Sequence, residues 1–393
     1  MRNDHVFDSL LVLKTLMTSS HRMLSDPKHG PNLKFRMHTA KTPVIVVLGA
    51  VRYSRTEFEE LTKQYIIHVM IPPNPADFVE ADTGLTRNQF LSDCTTRYNG
   101  MIALFRGYIP IGSKIWTEFN FDADFVNTLP DTVRIITLMS SGYSHVDVDA
   151  CTKRGIWVSN TRGAVDAAVA DTTIYLMLSA LRNFPKAEKL LREGRWSDSF
   201  ENHQDPEGLR LGVLGMGAIG KAVAQRAKVF GMEIQYHNRH RLPPEEEQGA
   251  IYVSLETLLS TSDILTLHVP LADDTHHLLS TPEFSMVKRG CILINTSRGP
   301  VVDEEALVHA LETGQVRAAG LDVFENEPYV NPRLLAHENT TLLPHVGTYT
   351  QGTFRKMELK AIENLLKFLE EGKPLTPVNN PHVQPSVVKT AGG

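Results

Sequence analysis

The sequence predicts an α/β protein made of two doubly wound parallel-sheet domains with a cleft between them. Three observations carry that prediction. At 393 residues the chain exceeds one ordinary core, since single domains usually hold about 100–200 residues. Short β-branched runs alternate with helix-compatible stretches in two successive series, the rhythm of parallel strands joined by crossover helices. The second series opens with a strand, a glycine-rich turn and a helix in direct succession.

The elements follow in chain order. The first 42 residues carry seven Lys or Arg against three Asp and show no periodic core pattern. They read as a disordered extension or as sequence upstream of a start at Met23 or Met37, while Asp4, Asp8 and Asp26 count against a transit peptide. Strand candidates are Val44 to Leu48, Ile102 to Phe105, Arg134 to Leu138 and Ile156 to Val158. Ala167 to Leu181 and Lys186 to Glu193 are helical in texture and end at Gly194, as a spacer between domains would. Six further strands are expected at Leu209 to Leu214, Glu233 to Tyr236, Ile264 to Val269, Cys291 to Asn295, Ala318 to Leu321 and Thr341 to Leu343. A last helix spans about 348–369, with Ile362, Leu365, Leu366 and Leu369 at helical spacing, and Pro374 and Pro377 stop it. The end, 384–393, reads as loose. The expected domains are an extension at 1–42, a substrate domain at 43–162 with 346–384, and a nucleotide-binding domain at 163–345.

Composition narrows the function. With 42% hydrophobic and 22% charged residues the chain is globular, and its longest apolar run, Val44 to Val51, falls short of the roughly 18–20 residues a membrane span needs. Forty basic against 45 acidic side chains give a charge of −5, without the positive field that draws proteins to nucleic acid. Small molecules are the expected partners, and the cytoplasm the expected compartment, with the mitochondrion second. Cys94, Cys151 and Cys291 are scattered and odd in number, as buried fillers in a reducing compartment are. No metal site is expected: His276 and His277 are adjacent on an expected helix, point in different directions and lack a carboxylate cluster.

The run Gly215-Met216-Gly217-Ala218-Ile219-Gly220 lies between a strand and a helix-forming stretch, Lys221 to Phe230. Gly215 permits the tight turn, Gly217 lets a pyrophosphate approach the backbone, and Gly220 lets helix and strand pack closely. About 20 residues further on, NAD enzymes place an acid for the ribose hydroxyls. This chain reads Tyr236-His237-Asn238-Arg239-His240-Arg241, with no carboxylate. Arg239 offers a guanidinium fork for the 2′-phosphate of NADPH and a flat face for adenine, so NADPH is the expected coenzyme and NADH remains possible. A solvated basic turn before Pro243-Pro244 is the plainer alternative.

Three more segments follow expected strands: Asn295 to Gly299, Asp322 to Pro328 and Leu343 to Gly347. Reducing a 2-oxo acid needs a cation to bind and polarise the substrate, a proton donor for the carbonyl oxygen, and a partner that keeps the donor charged. Arg298, His345 and Glu327 fit those needs in that order. Singly they prove little, because any one of 16 His is more often structural, and Arg298 could cap a helix or bridge a carboxylate.

Together these segments resemble the D-isomer-specific 2-hydroxyacid dehydrogenase family over roughly Val44 to Pro377. The glycine fingerprint at 215, the NTSRG run ending at Gly299, the LDVFENEP run from Leu321 and the PHVG run from Pro344 occur in the family's order and spacing. Ser141-Gly142-Tyr143 and Asp171 are similar to its substrate-loop and interdomain-helix signatures. Tyr236 to Gly249 and Leu343 to Thr348 look most like fungal glyoxylate or hydroxypyruvate reductases. The resemblance implies a flavodoxin-like substrate domain made from both chain ends, a Rossmann cofactor domain, and a homodimer joined through cofactor-domain elements. It implies cofactor contacts from Ala218, Ile219, Asn238, Arg241, Pro270, Thr275, Thr296 and Asp322, the last at the nicotinamide carboxamide. It also implies that backbone amides around Ser141 and Gly142 hold the substrate carboxylate and that Arg106 lines the entrance. Ser144 departs from the pattern, standing where many members have Asp.

Rival readings stay open. A bulkier 2-oxo acid of the D-mandelate type would suit the same machinery. Formate dehydrogenases pair the catalytic His with Gln, so Glu327, 18 positions before His345, argues against them. D-3-phosphoglycerate dehydrogenases are disfavoured by the missing regulatory domain and the missing NAD-type acid. Corepressors use this fold as a nucleotide-sensing binding module and can retain the trio, so turnover against peptide binding would separate that class.

Overall fold

The computed structural model describes residues 42–70, 86–109, 119–196 and 203–381. The expected extension with its alternative starts, and the loose end at 384–393, lie outside the described residues.

Among the described residues the first sheet has five parallel strands: β1 (Val44–Leu48), β2 (Ile66–Val69), β3 (Met101–Arg106), β4 (Ile135–Leu138) and β5 (Trp157–Ser159), in the order β2-β1-β3-β4-β5. Strands β3 to β5 are buried along their whole length, which is why they read as continuous apolar runs rather than alternating ones. The sequence reading lacked β2. It is a four-residue edge strand with Ile66 and Val69 exposed and His68 interrupting its apolar residues, too short to stand out.

The second sheet contains β6 (Arg210–Leu214), β7 (Glu233–His237), β8 (Ile251–Tyr252), β9 (Ile264–Leu267), β10 (Cys291–Asn295), β11 (Val316–Leu321) and β12 (Thr340–Leu342). Its order is β12-β11-β10-β9-β6-β7-β8, all parallel. This is the doubly wound nucleotide-binding order, and the direction of winding reverses between β6 and β9. Six strands were expected here. The seventh, β8, is two residues long and carries no periodic signal.

Three long helices position the site. Helix α1 (Asp166–Arg182) buries Ala170, Leu176, Met177, Ala180 and Leu181 against the second sheet, while Val169 in its first turn joins the core of the first. Helix α2 (Ala218–Val229) follows the glycine turn. Helix α3 (Gln351–Glu371) starts where the Thr350 hydroxyl accepts the Thr353 N–H at 3.0 Å and stops at Gly372, whose φ is 77°.

Helix α3 returns the chain to the first sheet, where Met357, Ile362, Leu365 and Phe368 join Ile45, Val47, Phe105 and Ile135 in one core. The fully buried Glu358 carboxylate accepts the backbone N–H groups of Arg52, Tyr53 and Ser54 at 2.7, 2.8 and 2.7 Å. Buried Asn364 bonds the Asn160 carbonyl at 3.0 Å. Residues from both chain ends therefore build the first sheet's core, while α1 from Ala170 onward packs on the second.

Among the described residues no helix is long and apolar enough to cross a membrane. All three cysteines are free and buried, and burial pushes each thiol up to about 12.

Candidate active site

The strand ends of the second sheet create a cradle at the glycine turn. Gly215 has φ 101°, and a Cβ there would lie 2.7 Å from the backbone carbon of His268, so the turn fits between β6 and β9 only without a side chain. A Cβ on Gly220 would lie 2.3 Å from the Gly215 oxygen. A Cβ on Gly217 would meet nothing within 4 Å. That open side lies at the N-terminal end of α2, beside unpaired N–H groups and the positive end of the helix dipole. The arrangement fits a dinucleotide pyrophosphate. Ala218 opens α2, and Ile219 packs against the cores of both sheets.

The neighbouring loops close on this turn. Asn238 Oδ1 accepts the Met216 N–H at 2.6 Å. Arg239 reaches across to Asp274, Nη1 to Oδ2 3.0 Å. Arg241 turns away and donates two bonds to Glu247, at 2.7 and 3.1 Å, where the Tyr236 hydroxyl also donates at 2.7 Å. The Thr275 hydroxyl donates to the Pro270 carbonyl at 2.7 Å and accepts the Ala272 N–H at 2.8 Å. Thr296 lies buried with its Oγ1 2.9 Å from that of Thr173 on α1.

Arg298 follows β10. Asn295 pins its loop, accepting the Ser297 N–H at 3.0 Å and donating to the Arg298 carbonyl at 3.0 Å. The guanidinium donates to the Ser297 carbonyl at 2.6 Å and extends to the first sheet, where a Cβ on Gly142 would lie 1.4 Å from Nη2. Burial pulls this guanidinium below its ordinary value, and the Glu327 carboxylate opposes the shift. The Ser141–Gly142 loop is held by Asn160 Nδ2 on the Ser141 carbonyl at 2.7 Å and by the Ser140 hydroxyl on the Gly142 carbonyl at 2.8 Å. Ser144, two residues beyond Gly142, is exposed.

Glu327 and His345 meet at 2.8 Å, Oε2 to Nδ1. The other carboxylate oxygen accepts the Phe324 N–H at 3.0 Å. Burial alone would raise the Glu327 carboxyl, but the His345 bond and charge, the Phe324 N–H and Arg298 leave it below its ordinary value. With Nδ1 occupied by a carboxylate, Nε2 is the imidazole nitrogen left for a substrate. His345 has φ 53°, an unusual backbone state for a residue with a side chain. Asp322 stabilises it by accepting the N–H groups of Val346 and Gly347, each at 2.8 Å. Burial raises the Asp322 carboxyl, against those two bonds and the nearby His345.

Arg106 ends β3 and is only 7% exposed, yet its Nε has no hydrogen-bond partner among the described residues. Burial lowers its guanidinium to about 10. His145, in the loop that carries Gly142, also has an unpartnered Nε2. Burial first, then the charges of Arg106 and Arg298, hold it well below the usual histidine value. Sequence reasoning missed His145, although its place three residues beyond Gly142 was available as a signal.

One expectation is corrected. His276 and His277 lie on a turn rather than a helix, because His277 adopts φ 50°, outside the right-handed helical region. Their rings lie 4.1 Å apart instead of diverging, and His277 Nε2 bonds Glu325 at 2.9 Å.

Residues 174–347 match the family model described as D-isomer specific 2-hydroxyacid dehydrogenase, NAD binding domain. Over 337 residues the chain is 41% identical to 4-methyl-2-oxopentanoate reductase A of Aspergillus oryzae, covering 85% of this chain and 97% of that protein. The chain belongs to the D-isomer-specific 2-hydroxyacid dehydrogenase family. Two solved structures share this dehydrogenase's architecture. A glyoxylate reductase from Paecilomyes thermophila has a TM-score of 0.79 at 40% identity, over 86% of this chain and 98% of that one. An NADPH-dependent glyoxylate/hydroxypyruvate reductase from Sinorhizobium meliloti has a TM-score of 0.69 at 31% identity, over 86% and 97%. The protein is an NAD(P)-dependent oxidoreductase that acts on 2-oxo acids.

In this dehydrogenase the residues singled out from sequence fall into two groups. Glu327 and His345 are in direct contact, Arg298 is within Coulombic reach of Glu327, and the guanidinium abuts Gly142. Gly215, Gly217, Asn238, Arg239, Pro270 and Thr275 surround the crevice where the sheet winding reverses. Arg241 joins neither group, being held by Glu247.

Proposed function

We propose that this dehydrogenase reduces a small 2-oxo acid, glyoxylate or hydroxypyruvate, with NADPH, giving the D isomer where the product is chiral. The observation that carries the reading is the meeting of the His345–Glu327 pair with an Arg298 guanidinium that reaches Gly142 on the other sheet. A carboxylate lying between Arg298 and the Ser141–Gly142 backbone brings its 2-oxo group toward the imidazole. Arg298 binds the carboxylate and draws electron density toward the carbonyl oxygen. His345 Nε2 donates the proton to that oxygen, and Glu327 on Nδ1 stabilises the imidazolium before transfer. In the reverse direction the same nitrogen accepts the proton. Arg106 lines the entrance and adds positive potential for an anionic substrate.

A nicotinamide coenzyme, when bound, would supply the hydride for C2. Gly215, Gly217 and the α2 N-terminus with Ala218 and Ile219 hold the pyrophosphate, Arg239 and Asn238 hold the adenosine side, and Pro270, Thr275 and Thr296 line the crevice. Asp322 orients the His345 loop and borders the carboxamide. The preference for NADPH rests on the guanidinium of Arg239 where NAD enzymes carry an acid. The Sinorhizobium meliloti relative, described as NADPH-dependent, supports that preference, and both reductases support a small 2-oxo acid.

The packing of α3 on the first sheet supports a substrate domain at 43–162 with 346–384, and that of α1 on the second supports a cofactor domain at 163–345. Exposed Tyr175, Phe184 and Trp196 support a homodimer through the cofactor domain. The test is a panel of glyoxylate, hydroxypyruvate, pyruvate, 4-methyl-2-oxopentanoate and phenylglyoxylate with each coenzyme. Fastest turnover of glyoxylate or hydroxypyruvate with NADPH supports the reading. Preference for either bulky acid assigns the enzyme to the larger-pocket class instead.

A further inference from the structure

Arg239 and Asp274 do more than decorate a surface, because of where their ion pair runs. Arg239 lies in the loop after β7 and Asp274 in the loop after β9, and β6 lies between those strands in the sheet. The 3.0 Å contact therefore passes over the glycine turn that closes β6. Both sides are anchored. Asn238, next to Arg239, accepts the Met216 N–H on its side chain and the Tyr252 hydroxyl on its carbonyl, at 2.6 and 3.2 Å. The Asp274 loop is tied by Thr275 to Pro270 and Ala272. Of the acids on the β7 side, Glu246 pairs with Lys221 and Glu247 with Arg241.

We propose that Asp274 is a coenzyme-selectivity residue: it occupies the guanidinium that the 2′-phosphate of NADPH needs, and so weakens the preference for NADPH that Arg239 alone would impose. The inference rests on the NADPH reading above. A 2′-phosphate carries a charge of about −1.5 to −2 and must displace Asp274 from Arg239 or lie beside it. The two side chains are 78% and 55% exposed, so breaking their pair costs little. The larger effect is repulsion between the carboxylate and the phosphate, which NADPH meets and NADH does not. The neutral 2′-hydroxyl of NADH finds in Asp274 an acceptor instead.

The experiment compares the wild type with Asp274→Asn, Arg239→Ala and the double variant, using calorimetry of 2′,5′-ADP against ADP and the kcat/KM ratio for NADPH over NADH. Asp274→Asn is expected to tighten 2′,5′-ADP by about three- to tenfold without tightening ADP, and to raise the kinetic ratio by a similar factor. Arg239→Ala weakens 2′,5′-ADP selectively, and added salt narrows both differences. If Arg239→Ala weakens 2′,5′-ADP but Asp274→Asn leaves the 2′,5′-ADP to ADP ratio unchanged, the role of Asp274 is overturned and the NADPH reading stands. If Arg239→Ala leaves 2′,5′-ADP binding intact, the NADPH reading fails and takes this inference with it.

Discussion

Asp322 accepts the backbone N–H of Gly347 at 2.8 Å, and with its other oxygen that of Val346, so one buried carboxylate fixes the chain just beyond His345. The left-handed backbone at His345 depends on that hold. Asp322→Ala should lower kcat by about 10- to 100-fold, as expected when a catalytic group loses its orientation. Rapid-mixing kinetics beside coenzyme titration separate the effects, and a variant with unchanged kcat would remove Asp322 from the positioning of His345.

The Glu327 carboxyl is depressed in the folded protein relative to its unfolded value of about 4.3. Because the folded state holds this proton less tightly, the pair's stabilisation is present above that pH and is lost as pH falls through the lower folded value. Glu327→Gln should therefore show a flatter decline of Tm on the acid side than the wild type. Its rate of 2-oxo acid reduction should also fall at neutral pH, because the imidazolium loses its counter-charge. Parallel Tm–pH curves in the two proteins would contradict this coupling.

Gly142 leaves room for Arg298. Gly142→Ala would push a methyl group into the guanidinium, which must withdraw from the substrate side. We expect KM for the 2-oxo acid to rise by at least about tenfold, the cost of losing a charge-assisted hydrogen bond, with coenzyme affinity unchanged. Substrate and coenzyme titrations of the variant check this, and an unchanged KM would separate Arg298 from carboxylate binding.

The fingerprint glycines should separate by mechanism. Gly220→Ala collides with the Gly215 carbonyl and should cost about 1–3 kcal/mol of stability, as overpacking does. Gly217→Ala meets no protein atom, so Tm should hold while coenzyme binding weakens. Thermal melts and coenzyme fluorescence titration distinguish the two; equal losses of Tm would contradict the open-cradle reading.

Much of this architecture was legible in sequence where burial is symmetrical. Strands β6, β9 and β10 are short, almost wholly buried runs rich in Leu, Ile and Val, and the glycine fingerprint located the crevice directly. Edge strands β2 and β8 escaped because four and two residues are too few to show a strand period. In the site, Arg298, Glu327 and His345 were readable because each follows a strand of the same parallel sheet, and such strand ends converge. The partners chosen by tertiary packing were not. Nothing in the sequence distinguishes Arg241, committed to Glu247, from Arg239, which reaches over the crevice to Asp274. For His145 the sequence offered only its nearness to Gly142; the fold adds Arg106 and Arg298, far apart in the chain, beside it.

The most direct test follows loss of reduced-nicotinamide absorbance when NADPH and glyoxylate are mixed with the wild type and with His345→Gln. The account predicts rapid oxidation by the wild type and a loss of about 100- to 10,000-fold in the variant with NADPH still bound. A variant that keeps its rate, or a wild type that binds NADPH without oxidising it, would contradict the assignment of His345 as the proton donor of a 2-oxo acid reductase.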